Sequence, residues 1–515
     1  MDTIETPFTP ETGRQFWPPL PEAPAGELVE KARPGTLILL PFATPSLPVE
    51  ALFRAGSKVL AANGEPLPLL MLSAQLTAID KETIQKAFLG LGDALKGNQP
   101  LHQHLANLYR TTCPQCRASL QADYFVWQRE MADPQQKALR CADCGFAGLA
   151  PVTEADLETL DRIETRGVHY HFLLGRAVSA QAAEENALRV RLEALHDLYT
   201  PRALYAIAEL IMKIEATLTD RALQRVFKAI LFNCLLPASN LIATPGQQSL
   251  PKRLKPPARY LEANLWQLFQ AAVSAWQPPQ QTVRFAPRLD DFLQQHQNAV
   301  CFFPDEAGSL RRYLPEESVT VLAADLPPPG PVRWALSTLW SGWLLGLKAA
   351  EMASPFLLQK WPDWLWYQRQ LSIMLRILRA SLEPDAACWL TASMSSRLQA
   401  PAIILAALQA GYDVEAWDIE QAGHRIWLTL PGPDLSPPMP LETLAGMIQA
   451  EARETAGLFL QKQPSPISDD AVYWVVWQSL LYSGLLVQTL TSLSEKRRLT
   501  WIDKQVQAAL SALDI

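Results

Sequence analysis

The chain has 515 residues, 49% of them hydrophobic, which is enough for about two to four folded domains. Its 45 Lys and Arg residues are outnumbered by 52 Asp and Glu residues, and the formal net charge is −7. This balance excludes a global positive field that holds nucleic acid, so any DNA contact must come from a local basic surface.

The first residues lack the basic start and apolar stretch of a secretory signal. The longest apolar run, residues 334–347, is too short to span a bilayer and contains three hydroxyl side chains. We therefore expect a soluble, cytoplasmic protein without membrane contact. Four of the seven cysteines form two CxxC pairs, and the other three, Cys234, Cys301 and Cys388, are expected in the core of a protein from a reducing compartment.

Apolar runs predict the elements of an α/β core. After a proline-rich opening, TLILLPF (36–42) and KVLAA (58–62) are typical of buried strands separated by a short helix. Long stretches with apolar residues at helical spacing follow, interrupted only by the cysteine segment. Strands return at 298–304 and 318–324, and the later strands end in a hairpin, which predicts a mostly parallel sheet with an antiparallel edge.

The expected organisation has four parts. These are a proline-rich N-terminal segment (1–35), an α/β core (36–74 and 296–435), a helical insertion (75–295) that contains a zinc ribbon (108–150), and a helical C-terminal region (436–515).

The two CxxC pairs are separated by 24 residues and comprise Cys113, Cys116, Cys141 and Cys144. Each pair places two thiolates on one tight turn, and two such turns supply the four sulfurs of a tetrahedral zinc site. Four protein ligands leave no position for a catalytic water, so we expect a structural zinc ion. An iron–sulfur site or a redox dithiol remains an alternative.

A DNA-contacting ribbon is a further alternative, because five cations flank the cysteines: Arg110, Arg117, Arg129, Lys137 and Arg140. Nearby acidic residues nearly cancel their charge. A separate basic loop, PKRLKPPARY, contains Lys252, Arg253, Lys255 and Arg259. This loop is a candidate phosphate contact, and a merely solvated loop is the alternative. His169 and His171 suggest a metal pair, but their HxH spacing is more typical of a surface or strand pair.

Four regions together resemble a known family: LILLPFATPSLPVEALFRAGSKVLAANGEPLPLL, the cysteine segment, LHDLYTPRALYAIAELI with YLEANLWQLF, and VTVLAADLPPPGPVRWALSTLWSGWLLG. The chain is similar, loosely and over most of its length, to DNA adenine-specific (N6) methyltransferases that carry a zinc ribbon within a class I S-adenosylmethionine-binding domain. The resemblance implies a class I methyltransferase-like (Rossmann-like), mostly parallel α/β sheet. It also implies a large helical insertion carrying the ribbon and a helical C-terminal region.

In that family the first strand ends in a motif of the type DPFxGxG. The matching residues here run from Leu40 to Ser46, with Phe42 retained and Thr44 and Ser46 in place of the glycines. Asn63 stands where the family has an acidic ribose ligand, and Asp305 matches an acidic residue near the cofactor adenine. The resemblance thus implies Phe42, Asn63 and Asp305 as cofactor-binding residues. The replacements predict weak or absent binding of S-adenosylmethionine.

The family's catalytic motif is Asp-Pro-Pro followed by an aromatic residue, and it holds the flipped adenine. Here Asp325 is separated from the prolines by Leu326, and the next aromatic residue is Trp334. The resemblance implies Asp325 as the candidate catalytic residue. We expect a catalytically impaired relative that binds DNA or a partner protein. One alternative is an active N6-adenine methyltransferase; another is a structural subunit that binds neither cofactor nor DNA.

Overall fold

The computed structural model describes residues 9–179, 181–183, 186–247, 249–358, 363–394, 396–420, 423–462 and 468–513. The strands in these residues are β1 Leu37–Leu40, β2 Lys58–Ala62, β3 Leu95–Lys96, β4 Gln99–Pro100, β5 Arg110–Thr112, β6 Ser119–Gln121, β7 Tyr124–Gln128, β8 Gln136–Arg140, β9 Ala147–Pro151, β10 Arg259–Ala263, β11 Phe285–Ala286, β12 Val300–Phe303, β13 Val319–Leu326, β14 Leu382–Ala392, β15 Asp413–Glu420 and β16 Gly423–Thr429.

The helices in the same residues are α1 Thr12–Phe16, α2 Glu22–Lys31, α3 Val49–Arg54, α4 Pro66–Gln75, α5 Lys81–Asp93, α6 Leu101–Asn107, α7 Glu154–Asp161, α8 Val168–Ala177, α9 Ala187–His196, α10 Pro201–Thr217, α11 Arg221–Leu235, α12 Leu265–Ala275, α13 Leu289–Gln294, α14 Pro331–Leu345, α15 Leu347–Leu358, α16 Trp364–Leu378, α17 Gln399–Gln409, α18 Leu441–Lys462, α19 Asp469–Tyr482, α20 Leu485–Ser492 and α21 Arg498–Ser511. Two short 3-10 helices cover Ala307–Arg312 and Arg379–Ser381.

The main sheet has eight strands in the order β11-β12-β2-β1-β13-β14-β16-β15. The neighbouring pairs from β11 to β14 are parallel, while β16 is antiparallel to both β14 and β15. The predicted mostly parallel α/β sheet is confirmed. The antiparallel strand lies one position inside the edge, because the hairpin folds back so that β16, and not β15, pairs with β14.

Both faces of the sheet are covered, which explains why strands such as LILL are apolar on both sides. Helices α16 and α17 and the C-terminal helices α18–α21 pack on one face. Helices α2–α4 contribute to the other face. Cys234, Cys301 and Cys388 are buried, as predicted.

A separate helical body surrounds a third hydrophobic cluster, which joins helices of the predicted insertion to α14 of the predicted core. Trp340 and Trp343 on α14 are fully buried in it. Their indole N–H groups donate to Tyr199 Oη at 2.8 Å and to His196 Nε2 at 3.1 Å. The insertion therefore packs directly on the core through α14.

The order of the strands in the main sheet indicates where a ligand-binding crevice is expected. From β1 the chain continues to β2 and β12 on one side, and then to β13 and β14 on the other side. The direction of winding therefore changes between β1 and β13. Open α/β sheets bind ligands outside the carboxyl ends of the strands at such a switch point.

Candidate functional site

Four cysteine thiols converge between the two CxxC turns. The Sγ atoms of Cys113, Cys116, Cys141 and Cys144 all lie within 4.8 Å of one another. Cys113 Sγ is 3.6 Å from Cys144 Sγ, and Cys116 Sγ is 3.5 Å from Cys141 Sγ. Sulfurs bound at about 2.3 Å to a tetrahedral zinc ion stand about 3.8 Å apart, whereas disulfide sulfurs are about 2.05 Å apart. The cluster therefore fits one four-coordinate metal ion, and zinc suits it best.

The two cysteine pairs lie on the same type of backbone turn. The Cys113 amide donates to the Ala118 carbonyl at 2.9 Å, and the turn at Cys141 repeats this bond at 2.8 Å. In each turn the residue after the second cysteine has a left-handed backbone, with φ of 62° at Arg117 and 74° at Gly145. Glycine adopts this conformation without strain, but arginine does not.

The first cysteine pair lies between the strands of the β5–β6 hairpin, and the second lies between β8 and β9 of a four-stranded antiparallel sheet in the order β10-β7-β8-β9. Strands β7 and β8 lie within the predicted ribbon (108–150), whereas β10 comes from far downstream. Tyr260 of β10 stacks on Trp127 of β7, with ring centroids 6.0 Å apart and planes at 8°. Trp127 Nε1 also donates to the buried Glu262 carboxylate of β10 at 2.7 Å. The ribbon is thus completed by a strand whose first two residues, Arg259 and Tyr260, end the basic loop PKRLKPPARY.

Three of the five cations that flank the cysteines form ion pairs, and one of these is the exposed pair of Arg129 with Glu130 at 3.3 Å. Lys137 Nζ lies 2.6 Å from Asp156 Oδ2, and each residue is only 1% exposed. Arg140 Nε lies 2.9 Å from Asp123 Oδ2. The expectation that Lys137 contributes to a basic surface is wrong, because its side chain points into the protein and neutralises a buried carboxylate.

The loop before β10 presents four exposed cations, Lys252, Arg253, Lys255 and Arg259. None of the four forms an ion pair with another residue that the structure describes. The loop is held against the ribbon by Arg129, whose amide donates to the Ala258 carbonyl at 2.9 Å and whose Nη1 donates to the Pro256 carbonyl at 3.0 Å. The cations therefore lie on an anchored loop and keep their charge available to an anionic partner.

The three predicted cofactor residues lie at the carboxyl ends of β1, β2 and β12, and therefore at one edge of the sheet. Asn63 is buried, and its Nδ2 donates to the Ala43 carbonyl at 2.9 Å while its Oδ1 accepts from the Glu65 amide at 2.8 Å. Phe42 is half-buried against the core, and Asp305 is exposed. Both polar atoms of the Asn63 side chain therefore have a partner within the protein.

Asp325 lies near the end of β13, where the loop after β1 crosses the sheet. Ser46 Oγ donates to Asp325 Oδ2 at 2.6 Å, and Thr391 Oγ1 donates to Asp325 Oδ1 at 2.9 Å. Thr44 Oγ1 lies 2.5 Å from Ser46 Oγ. Burial raises the pKa of Asp325, although the two hydroxyl donors and the charge of Arg333 act in the opposite direction. Both oxygens of the candidate catalytic carboxylate are therefore engaged within the protein.

A chamber of about 120 Å³ lies beside Asp325. Its inner wall comes from the carboxyl ends of β13 and β14 and from the β15–β16 hairpin, and its outer wall comes from the proline-rich opening of the chain. Pockets for drug-sized ligands have volumes of about 300–1,000 Å³. The chamber is therefore too small for a complete nucleoside cofactor.

The histidines of the HxH motif lie on helix α8, because residues 168–177 repeat apolar positions at helical spacing. His169 Nε2 lies 2.6 Å from Glu209 Oε1, and Lys96 Nζ contacts the same buried carboxylate. His171 is exposed. The pair does not lie on a strand, whereas the alternative prediction of a surface position holds for His171. In the part of the chain that the structure describes, the four cysteines are the only group with metal-ligand spacing.

Comparisons of the chain with protein-family models, with curated proteins and with solved structures gave no match. Among the residues that the structure describes, no helix is both long and apolar enough to cross a lipid bilayer. Function must therefore be inferred from the residues of this chain.

Proposed function

We propose that the chain is a catalytically impaired relative of DNA adenine-specific (N6) methyltransferases, which binds DNA and uses zinc to hold its ribbon together. The observation that carries the proposal is that Asp325 accepts hydrogen bonds from Ser46 and Thr391. Ser46 stands where the resembled family has a glycine. The Ser46 side chain therefore adds bulk to the cofactor loop. It also donates to the Asp325 carboxylate, which an adenine amino group would need as its acceptor.

The sheet supports a methyltransferase-like origin. Numbered by chain order, the seven strands β1, β2, β12, β13, β14, β15 and β16 lie in the spatial order 3-2-1-4-5-7-6, with the seventh strand antiparallel. The resembled family implies a mostly parallel sheet of this kind that ends in an antiparallel hairpin. The switch point of such a sheet is the expected ligand site, and here it is the place where Ser46 meets Asp325.

The proposal includes weak or absent binding of S-adenosylmethionine. Side chains at Thr44 and Ser46 replace the glycines that let a backbone approach the cofactor. Asn63 Oδ1 already accepts from the Glu65 amide, and a neutral amide oxygen is a weaker acceptor for a ribose hydroxyl than the carboxylate of the resembled family. A calorimetric titration should therefore show no micromolar binding. Micromolar affinity, or methyl transfer to unmethylated DNA that is lost in Asp325→Ala, would instead support an active methyltransferase.

We propose the basic loop as the DNA contact. None of its four exposed cations forms an ion pair with a carboxylate among the described residues. Arg129 of the ribbon fixes the path of the loop through two hydrogen bonds. Each phosphate that a cation neutralises contributes about −0.9 to the slope of log affinity against log salt. Binding should therefore be weak, independent of sequence and steeply reduced by salt.

Charge reversal tests this contact. The variant Lys252→Glu, Arg253→Glu, Lys255→Glu should lose binding to a fluorescent duplex. A control variant carries the same change in net charge at three exposed cations on α5 and α11: Lys81→Glu, Lys86→Glu, Arg221→Glu. This control should retain most of the binding to the duplex. Equal losses in the two variants would contradict a local contact. Absence of binding by the unchanged protein would support the structural-subunit alternative.

A further inference from the structure

The opening segment of the chain forms the outer wall of the cleft at Asp325. Pro18, Pro19, Leu20, Pro21 and Pro24 line the chamber opposite Asp325 and Thr391. We call residues 18–24 the strap. Because the inner wall includes Asp325 at the carboxyl end of β13, the strap lies over the β13 side of the switch point.

Both ends of the strap are anchored in hydrophobic cores. On its N-terminal side, Phe16 and Trp17 are buried in the helical body, and Trp17 stacks on Phe232 with ring centroids 5.6 Å apart. On its C-terminal side, Leu28 of α2 is fully buried against the sheet. The strap therefore links the two bodies, and any opening must occur between Trp17 and Leu28.

The middle of the strap is held much less firmly than its ends. Within the described chain, no hydrogen bond joins residues 18–24 to the other residues that line the chamber. Four of these seven residues are prolines, which have no N–H to donate. Pro18, Pro19 and Pro21 are exposed on the outer side. The strap is therefore held over the cleft by apolar contacts and by its continuity with α2.

One ion pair fastens α2 beside the strap. Glu27 Oε2 lies 2.8 Å from Arg425 Nη1, while Arg425 Nη2 also contacts Glu420 at 2.6 Å and Asp418 at 3.4 Å. Three carboxylates thus share one guanidinium that is only 18% exposed. If Glu27 leaves, Arg425 keeps two partners, and release does not leave a buried charge unpaired. The Glu27–Arg425 ion pair can therefore open at a low cost in free energy.

We propose that the strap is an autoinhibitory cover, which lifts between Trp17 and Leu28 when the Glu27–Arg425 pair opens and so admits ligands to Asp325. This inference rests on the proposed function for the identity of the cleft. It adds that access to the cleft is controlled by the chain itself. The strap is a reversible closure, and beneath it Asp325 keeps its hydrogen bonds from Ser46 and Thr391.

A cysteine placed under the strap reports its opening. Ala392 lines the chamber and is 3% exposed, so Ala392→Cys should react slowly with a maleimide in the full-length protein. Adding Glu27→Arg, which repels Arg425, should speed labelling about tenfold, and adding Glu27→Gln about threefold. The control Glu30→Arg makes the same charge change at an exposed position of α2 and should leave the rate unchanged. Protein without Ala392→Cys gives the background of the native thiols.

Equal labelling rates with and without Glu27→Arg would overturn the proposal, as would fast labelling of the Ala392→Cys protein itself. If Glu27→Arg fails to fold, Glu27→Gln provides the same comparison with a smaller change. The experiment uses neither DNA nor cofactor. Failure to bind DNA would therefore overturn the proposed function alone, whereas unchanged labelling would overturn the strap alone.

Discussion

Replacement of Lys137 by methionine should destabilise the ribbon by about 3 kcal/mol, the lower end of the range for breaking a buried ion pair. Lys137 Nζ donates to Asp156 Oδ2 at 2.6 Å and to Thr111 Oγ1 at 2.5 Å. Methionine keeps most of the apolar stem but removes the charge, so the Asp156 carboxylate stays buried without its cation. The Thr153 amide still donates to Asp156 at 2.7 Å, and this bond limits the loss.

Zinc release during urea unfolding, followed with a chromogenic chelator, measures the stability of the ribbon. The double variant Lys137→Met/Asp156→Leu removes both charges and should recover at least half of the loss, because no buried charge is left unpaired. A loss below about 1 kcal/mol in the single variant would refute the reasoning. So would a double variant that is as unstable as Lys137→Met alone.

Elemental analysis should find one zinc ion per chain, and an iron–sulfur spectrum would contradict this. The variant Cys144→Ser should lose the metal and yield little soluble protein, because ribbon folding is coupled to zinc. Arg117→Gly should stabilise the ribbon by up to about 1 kcal/mol in the zinc-release assay, since φ is 62° there; unchanged stability would show that no strain is stored. Burial acts to raise the pKa of Asp156, but hydrogen bonds from Lys137 and its neighbours outweigh it and lower the pKa from 3.8. The carboxylate therefore stabilises the fold fully above its unfolded pKa and loses this effect as pH falls through the folded pKa. The difference in unfolding free energy between the unchanged protein and Asp156→Asn should shrink in acid, and a constant difference would contradict the assignment.

The core strands could be predicted because their signal is local. In β1 all four residues are buried and apolar, and such a run between turn residues is typical of a parallel strand covered on both faces. The metal site was equally accessible, since the spacing of CxxC pairs alone determines which thiols can share an ion. In both cases the residues that matter are close in sequence or of a rare type.

The other features of the site depend on contacts between residues that are distant in sequence, so the sequence did not predict them. Ser46 and Asp325 are separated by 279 positions. No local pattern predicts that the Ser46 hydroxyl contacts the Asp325 carboxylate. The short strand β10, with sequence RYLEA, follows two prolines and begins with a cation, so it was grouped with the basic loop. Lys137 gave no sign of burial either, because a lysine side chain is almost never fully buried unless it is paired. Only the fold shows that Asp156 lies behind it.

The pairing of β10 with β7 decides whether the ribbon can be transferred as a module. A fragment of residues 108–150 contains all four cysteines but lacks β10, so β7 would become an unprotected edge with free backbone N–H and C=O groups. The Trp127 indole would also lose its Glu262 acceptor. Such a fragment should self-associate through β7 even when loaded with zinc. A graft of the ribbon must carry the chain through residue 263, and on the ribosome the sheet cannot close until that residue has emerged.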